Sequence, residues 1–305
     1  MVRIVLLVNA SASSVTARAR VVIQKALSAD HDVELAQTSR RGHATRLAQG
    51  AASSGVDVVV ALGGDGTLNE AANGLAGTDT ALAALPGGST NVFCRTIGLP
   101  NDPIEATGIT LDALADGSVE RVGLGSLHGR YFLFHVGIGY DAAVVEQVER
   151  RAPLKRYAGH ALFAGCAVDT WLRHYDHDRP RFSVHHADGA EVPDGYLTLC
   201  LNTNPYTYLG NRPFNVAPDA TLDRPLTVVT FRTLDFLPLI SLAASALGTG
   251  RRLRRSRHID YRPDVDKVTI EGHGAVPYQM DGDYLGRVEH IELRHEPDVL
   301  RLVLP

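Results

Sequence analysis

Residues 58–70, Val-Val-Val-Ala-Leu-Gly-Gly-Asp-Gly-Thr-Leu-Asn-Glu, constrain this chain more than any other stretch. Val58 to Leu62 are five apolar residues, too few for a helix and β-branched enough for a buried strand. Gly63, Gly64 and Gly66 then surround an acid, Asp65, and Thr67 to Ala72 are helix-compatible residues stopped by Gly74. A strand, a glycine turn and a helix N-terminus together make a phosphate cradle. Glycines let the backbone approach a ligand closely, and the first N–H groups and the dipole of the helix favour anionic oxygens.

Two commoner phosphate loops do not fit. A Walker A loop needs Lys-Ser/Thr after its last glycine, whereas Thr67-Leu68 follow Gly66. A dinucleotide fingerprint needs a third glycine where the chain runs on into Asn69 and Glu70. The turn carries a carboxylate that would repel a bare phosphate. Asp65 makes sense if a cation, most simply Mg²⁺ arriving with ATP, stands between them and is met through water. The bland alternative is a tight turn with a solvated acid.

Composition sets the remaining bounds. At 305 residues there is chain enough for two cores, and 45% hydrophobic with 21% charged residues is ordinary for a globular protein. A net charge of −4 argues against a nucleic-acid partner. Cys94, Cys166 and Cys200 fit neither a zinc pattern nor a disulfide framework, so a cytoplasmic location is expected. The apolar run at the N-terminus ends at Asn9, short for a signal peptide, and no stretch reaches the roughly 20 residues of a membrane span.

The first third alternates strand and helix: strands at Ile4–Val8, Val33–Gln37, Val58–Leu62 and Ala81–Leu85, with helices at Thr16–Ala29 and Ala44–Ser53 and after the glycine turn. Such alternation predicts a parallel α/β sheet with ligands at the carboxyl ends of its strands. A helix over Pro103–Ala115 follows. From Val119 onward short β-rich runs dominate, at 119–124, 131–138, 182–186, 196–202, 226–231, 267–271 and 288–294, which suggests an antiparallel sandwich. Helical segments at about 141–175 and 236–247 interrupt it.

Gly63 to Glu70 resembles the signature of the diacylglycerol kinase catalytic domain, shared with sphingosine and other lipid kinases. NAD kinases carry a similar Gly-Gly-Asp-Gly-Thr core. The stretch Pro86-Gly-Gly-Ser-Thr-Asn-Val-Phe-Cys-Arg95 separates the two, because it resembles the lipid kinases' Pro-x-Gly-Thr-x-Asn-x-Phe-x-Arg. The resemblance implies nucleotide contacts from Gly63, Gly64, Gly66, Thr67, Asn69 and Glu70 in the first turn. From the second it implies Gly88, Ser89 (in place of Thr) and Asn91. It adds Asn9 with Ser11 or Ser13 at the first strand end, where the family's Pro and Gly are missing, and Thr38 at the second.

Further resemblances lie downstream. Gly137-Ile-Gly-Tyr-Asp-Ala142 is similar to the family's Gly-Ile-Gly-Phe-Asp-Ala, with His135 where an Asn is usual. Gln279-Met-Asp-Gly-Asp283 is similar to Gln-x-Asp-Gly-Glu, whose last acid is the proposed general base; here it is Asp283, one methylene shorter, and Asp281 remains an alternative. Ala217 to Leu226 resembles a segment that binds a structural Mg²⁺ in some bacterial members. Asp223 would be the ligand, but Arg224-Pro225 replace the expected Asp-Gly, and an ordinary loop is favoured.

The resemblance implies an α/β nucleotide-binding domain over 1–118 with about 297–305 returning to it, and a β-sandwich lipid-substrate domain over 119–296. It implies an ATP- and Mg²⁺-dependent kinase that phosphorylates a lipid hydroxyl, most simply that of diacylglycerol, with catalysis resting on Asp65 and Asp283. The partners expected are ATP and a lipid at a membrane surface, with peripheral attachment at the inner membrane. A homodimer is open. An NAD kinase-like or polyol kinase, or a silent lipid- or nucleotide-binding module, are the competing readings. Phe236-Leu-Pro-Leu-Ile240, followed by Arg251, Arg252, Arg254, Arg255 and Arg257, could rest on an anionic leaflet or be a buried helix with a solvated end.

Overall fold

The early alternation of apolar runs and helix formers becomes β1 (Arg3–Val8), α1 (Ala17–Leu27), β2 (Asp32–Gln37), α2 (His43–Ser53) and β3 (Val58–Gly63). It continues through α3 (Asp65–Leu75), β4 (Ala81–Pro86), α4 (Val92–Thr96) and α5 (Pro103–Asp116). The computed structural model describes residues 1–151 and 162–305. They form two compact units, Met1–Leu124 with Glu296–Pro305, and Gly125–His295.

In the first unit four parallel strands lie in the order β2-β1-β3-β4, in register at Arg3↔Asp32, Ile4↔Val58 and Val58↔Ala81. Every residue of β3 and β4 is buried, as expected where helices cover both faces of a parallel sheet. The helices pack in pairs, α1 with α5 and α2 with α3. The end of the chain adds a further parallel strand beside β4, pairing Leu302 with Leu82.

One helix boundary differs from the sequence expectation. Gly74 does not stop α3, which runs on to Leu75. A Cβ at Gly74 would lie 2.5 Å from the Thr45 carbonyl oxygen and 2.8 Å from the Ala48 Cβ. The glycine therefore serves the close approach of α2, whose buried face is Ala44, Ala48 and Ala51. The short helix α4 carries no sequence periodicity of its own and was not expected.

Strand β5 (Val119–Leu127) leads into the second unit, which contains β6 (Arg130–Phe132), β7 (His135–Gly139), α6 (Tyr140–Arg150), β8 (Phe182–His186), β9 (Glu191–Gly195) and β10 (Leu197–Leu201). Then come β11 (Thr207–Leu209), β12 (Arg212–Phe214), β13 (Leu226–Phe231), α7 (Phe236–Ala246), β14 (Ile259–Val265), β15 (Lys267–Met280) and β16 (Asp283–Val303). Pairing is antiparallel, in the path β14-β13-β10-β7-β15, with β8 and β16 also on β15.

β15 is longer than the sequence suggested because it serves two partners. Its first half pairs with β8, from Val268↔His186 to Gly272↔Phe182, and its last residues pair with β7, from Tyr278↔Ile138 to Met280↔Val136. A register shift between Glu271 and Val276 separates the halves, the kind of irregularity that lets one strand turn from one layer to another.

The period-2 pattern then serves two cores. Val136, Ile138, Cys200 and Val228 face Val184, Val268, Ile270 and Ile291. The alternate residues Leu199, Leu201, Val229 and Phe231 pack with Tyr140, Val144 and Val148 of α6 and with Leu242 and Ala246 of α7. The helical segment expected over 141–175 is α6, then a helical stretch at 162–169 and a π-helical turn at Thr170–His174. Its portion at 152–161 lies outside the described residues. Among the described residues no helix is long and apolar enough to cross a membrane.

Candidate active site

In the first unit the two glycine turns lie back to back at the carboxyl ends of β3 and β4. Gly87 donates its N–H to the Gly63 carbonyl at 2.8 Å. A Cβ on Gly87 would lie 2.8 Å from the Gly63 Cα, and one on Gly88 2.9 Å from the Gly64 Cα. None of these four glycines has a positive φ; Gly63, Gly87 and Gly88 are needed for space, whereas a Cβ on Gly64 would make ordinary contact with the Gly88 Cα at 3.4 Å. Gly66 is different: it is exposed, and nothing lies within 4 Å of where its Cβ would be. The floor is therefore packed backbone on backbone and the mouth is open.

Several polar side chains hold this floor. Asn9 donates Nδ2 to Thr67 Oγ1 at 3.0 Å and accepts the Ser11 N–H at 3.1 Å. Ser11 and Ser13 are exposed on the same loop. Ser14, not singled out from the sequence, donates its hydroxyl to the Gly88 carbonyl at 2.8 Å and its N–H to that of Gly87 at 2.9 Å.

Asn91 is buried in a left-handed conformation, φ 50°. It accepts the Gly88 N–H at 2.7 Å and donates to the Gly88 carbonyl and to Asn101 Oδ1. Asn91 thus shapes the turn from behind, while Ser89 stands exposed on it. Thr38 is half-buried at the end of β2 and donates its N–H to the Val8 carbonyl at 2.9 Å.

Asp65 has a structural task that the sequence did not reveal. Its Oδ2 and Oδ1 accept the N–H groups of Val92 and Phe93, each at 3.0 Å, so it caps α4 from another element. Burial raises its carboxyl pKa and the two amides oppose that shift. Each oxygen keeps a further lone pair, which fits a metal-bound water rather than direct ligation. Among the described residues no three His, Cys, Asp or Glu side chains form a metal cluster. A Mg²⁺ ion carried in by a nucleotide's phosphates is the form this donor set suits.

Two other acids are also occupied. Glu70 accepts the Gly42 and Ala44 N–H groups at 2.7 and 3.1 Å and so caps α2, while Asn69 is buried beside Asn73. Asp223 is exposed, and its neighbour Arg224 pairs with Asp264 and Asp219. The Arg224 side chain beside it is thus engaged by two carboxylates of the same region.

In the second unit the Gln279–Asp283 hairpin is anchored from two sides. Asp281, at φ 49°, accepts three N–H groups: Leu133 at 2.7 Å, and Phe134 and His135 each at 3.0 Å. Gln279 is fully buried. It accepts the Gly282 N–H at 2.8 Å and donates to Asp141 Oδ2 at 2.7 Å. Tyr206 donates its hydroxyl to the other Asp141 oxygen at 2.5 Å. Burial raises the Asp141 carboxyl and the two hydrogen bonds oppose the shift.

The His135 ring packs at a tilt against Tyr206 with ring centroids 4.3 Å apart, and neither ring nitrogen finds a hydrogen-bond partner among the described residues. Burial lowers its pKa to about 3, so the ring is neutral. Asp283 is half-exposed, with Arg130 3.9 Å away.

Asp141 and Tyr206 also form the polar floor of a cavity of about 140 Å³, walled by Leu199, Phe214, Phe231 and Leu242 among others. The motif at Gly137–Ala142 pointed to this place. A Cβ at Gly137 would meet the Asp141 carboxylate, so that glycine admits the buried acid. Nothing in the sequence marked Tyr206, which reaches Asp141 from a loop 65 residues on.

Comparison with known proteins gives the family. Residues 3–127 match the diacylglycerol kinase catalytic domain. A diacylglycerol kinase of Bacillus subtilis is 36% identical over 270 residues, 87% of this chain and 84% of its own length. The Chromohalobacter salexigens protein named "Probable lipid kinase YegS-like" is 34% identical over 149 residues, 48% of this chain and 46% of its own. A diacylglycerol kinase crystal structure from Bacillus anthracis shares the fold with a TM-score of 0.69 at 21% identity, covering 99% of this chain and 97% of that one. By its sequence along nearly its whole length, the chain belongs to the diacylglycerol kinase family of lipid kinases.

Proposed function

We propose that this protein transfers the γ-phosphoryl group of ATP to a lipid hydroxyl, with diacylglycerol as the acceptor and phosphatidic acid as the product. The observation that carries the reading is the pair of glycine turns packed together at the ends of β3 and β4, closed below and open at Gly66. Its relatives' names, diacylglycerol kinase and lipid kinase, support the acceptor class. So does the apolar cavity of the second unit, a space that suits acyl chain rather than sugar or nicotinamide.

ATP with Mg²⁺ supplies the transferable group and much of its countercharge. The chain's own residues do the rest. Gly63, Gly64 and Gly66 offer backbone N–H groups to the triphosphate and Ser89 adds a hydroxyl, while the N–H groups of Thr67 and Gly88 are spent on the Gly64 carbonyl and on Asn91 and so shape the two turns. Thr38, Ser11 and Ser13 are candidate nucleotide contacts at the neighbouring strand ends. Asn9, Asn91, Ser14 and Glu70 fix the turns that present these groups. Asp65 orients a metal-bound water through the lone pairs that α4 leaves unused.

Asp283 accepts the proton of the attacking hydroxyl. What favours it over Asp281 is engagement: Asp281 already holds three amides, whereas Asp283 is half-exposed beside Arg130. Asp281, Gln279 and Asp141 are positioning residues for the hairpin. Catalysis here is mostly orientation and charge neutralisation.

The test is phosphate transfer from labelled ATP by purified protein in mixed micelles. The acceptors are diacylglycerol, monoacylglycerol, sphingosine-type bases, undecaprenol and NAD. Diacylglycerol should take up most label. Labelled NAD with no labelled lipid would overturn the reading.

A further inference from the structure

Helix α7 has the sequence Phe-Leu-Pro-Leu-Ile-Ser-Leu-Ala-Ala-Ser-Ala, with no charged residue. A helix that is apolar all round belongs in a core or against a membrane. This one has only its inner side in a core. Leu239, Leu242, Ala243 and Ala246 line the apolar cavity. On the outside Phe236 is 55% exposed, Leu237 78% and Ile240 50%. The apolar surface extends beyond α7, because Trp171 packs at 5.7 Å on Phe236 and its neighbours Val168 and Leu172 are each 60% exposed.

Five of the chain's 30 lysines and arginines follow within residues 251–257, and no acid occurs from Phe236 through Ile259. Arg254 is held by Asp219 at 2.8 Å. Arg251, Arg252, Arg255 and Arg257 make no ion pair among the described residues. A groove of about 480 Å³ separates them from the helix, with Leu237, Pro238 and Leu242 on one wall and Arg251, Arg252 and Arg255 on the other. Arg252 reaches across it to Ser241 Oγ at 3.3 Å.

We infer that the outer face of α7 and the arginine loop after it dock on an anionic phospholipid surface. Apolar side chains beside unpaired guanidiniums match the boundary between acyl chains and phosphate headgroups. The rest of the chain sharpens the choice. With a net charge of −4 the protein as a whole is repelled by an anionic leaflet, so a local cationic face also fixes which side approaches. The use of this face rests on the lipid-kinase reading, but its detection does not.

The test is sedimentation with phosphatidylcholine vesicles, with and without about a third phosphatidylglycerol. The wild-type chain should sediment with the anionic vesicles, stay in solution with neutral ones and be released by high salt. Each cation near such a surface is worth about a fivefold gain in partitioning, so Arg251→Ser, Arg252→Ser and Arg255→Ser together should weaken binding by about two orders of magnitude. Leu237→Ser, at an exposed position that the fold does not need, should weaken it several-fold. Val22→Ser on α1 should leave it unchanged.

Wild-type protein that ignores anionic vesicles, or loop and Leu237 variants that bind as well as wild type, would overturn the inference. Transfer to a detergent-dispersed acceptor, run alongside, should be equal in all variants. Vesicle binding by a protein that phosphorylates no lipid would remove the kinase reading and uphold the docking face.

Discussion

Single polar residues in this molecule hold elements distant from them in sequence. Asp65 caps α4 through both oxygens, so Asp65→Asn would place an amide N–H against a backbone N–H. The variant should lose nearly all phosphate transfer and about 1–2 kcal/mol of stability as well. Activity and denaturant midpoint measured together separate the two effects. Gly66→Ala has room for its methyl, so it should fold normally yet bind ATP at least tenfold more weakly by calorimetry; unchanged affinity would take the nucleotide away from that turn.

His135 gives a pH prediction. Its folded pKa is lowered from 6.5 to about 3. The neutral ring therefore contributes stability that is present above pH 6.5 and is lost as pH falls toward 3, in total up to about 5 kcal/mol. In His135→Phe, the fall in denaturant midpoint across that window should be visibly shallower.

At the scale of elements, packing decides what propensity leaves open. Gly74→Ala improves helix propensity by up to about 1 kcal/mol. The new methyl, however, would sit 2.5 Å from the Thr45 carbonyl oxygen in α2. The variant should be destabilised by at least 2 kcal/mol, read from thermal or urea unfolding. The sequence exposed the periodic parts of the fold: β1 to β4 with their helices, and the alternating strands of the second unit.

It exposed the glycine turns too, because close backbone approach leaves a residue-type signature. It hid whatever depends on distant partners. α4 is one turn held by an acid from another element. β15 is long because two strands claim it, and Tyr206 meets Asp141 across a loop with no local pattern. The family motif put Asp283 at the base position with Asp281 as the alternative, and the three amide donors that Asp281 holds could not be read from either residue's neighbours.

For the whole molecule, the chain order matters as much as the local sites. The polypeptide leaves the first unit after Leu124 and re-enters it at Glu296. The returning piece is structural: Leu300 and Leu302 are fully buried, and the Val299 carbonyl accepts the Gly77 N–H at 2.7 Å. Leu302→Ala should therefore cost about 2–4 kcal/mol, measurable by urea unfolding. The family match over residues 3–127 ends well before that piece begins. Anyone cutting the gene at the end of that match would strip β4 of its neighbour on the side away from β3 and leave a raw apolar border, the kind that recruits other chains into aggregates. A workable excised fragment needs the last ten residues stitched back on through a short linker.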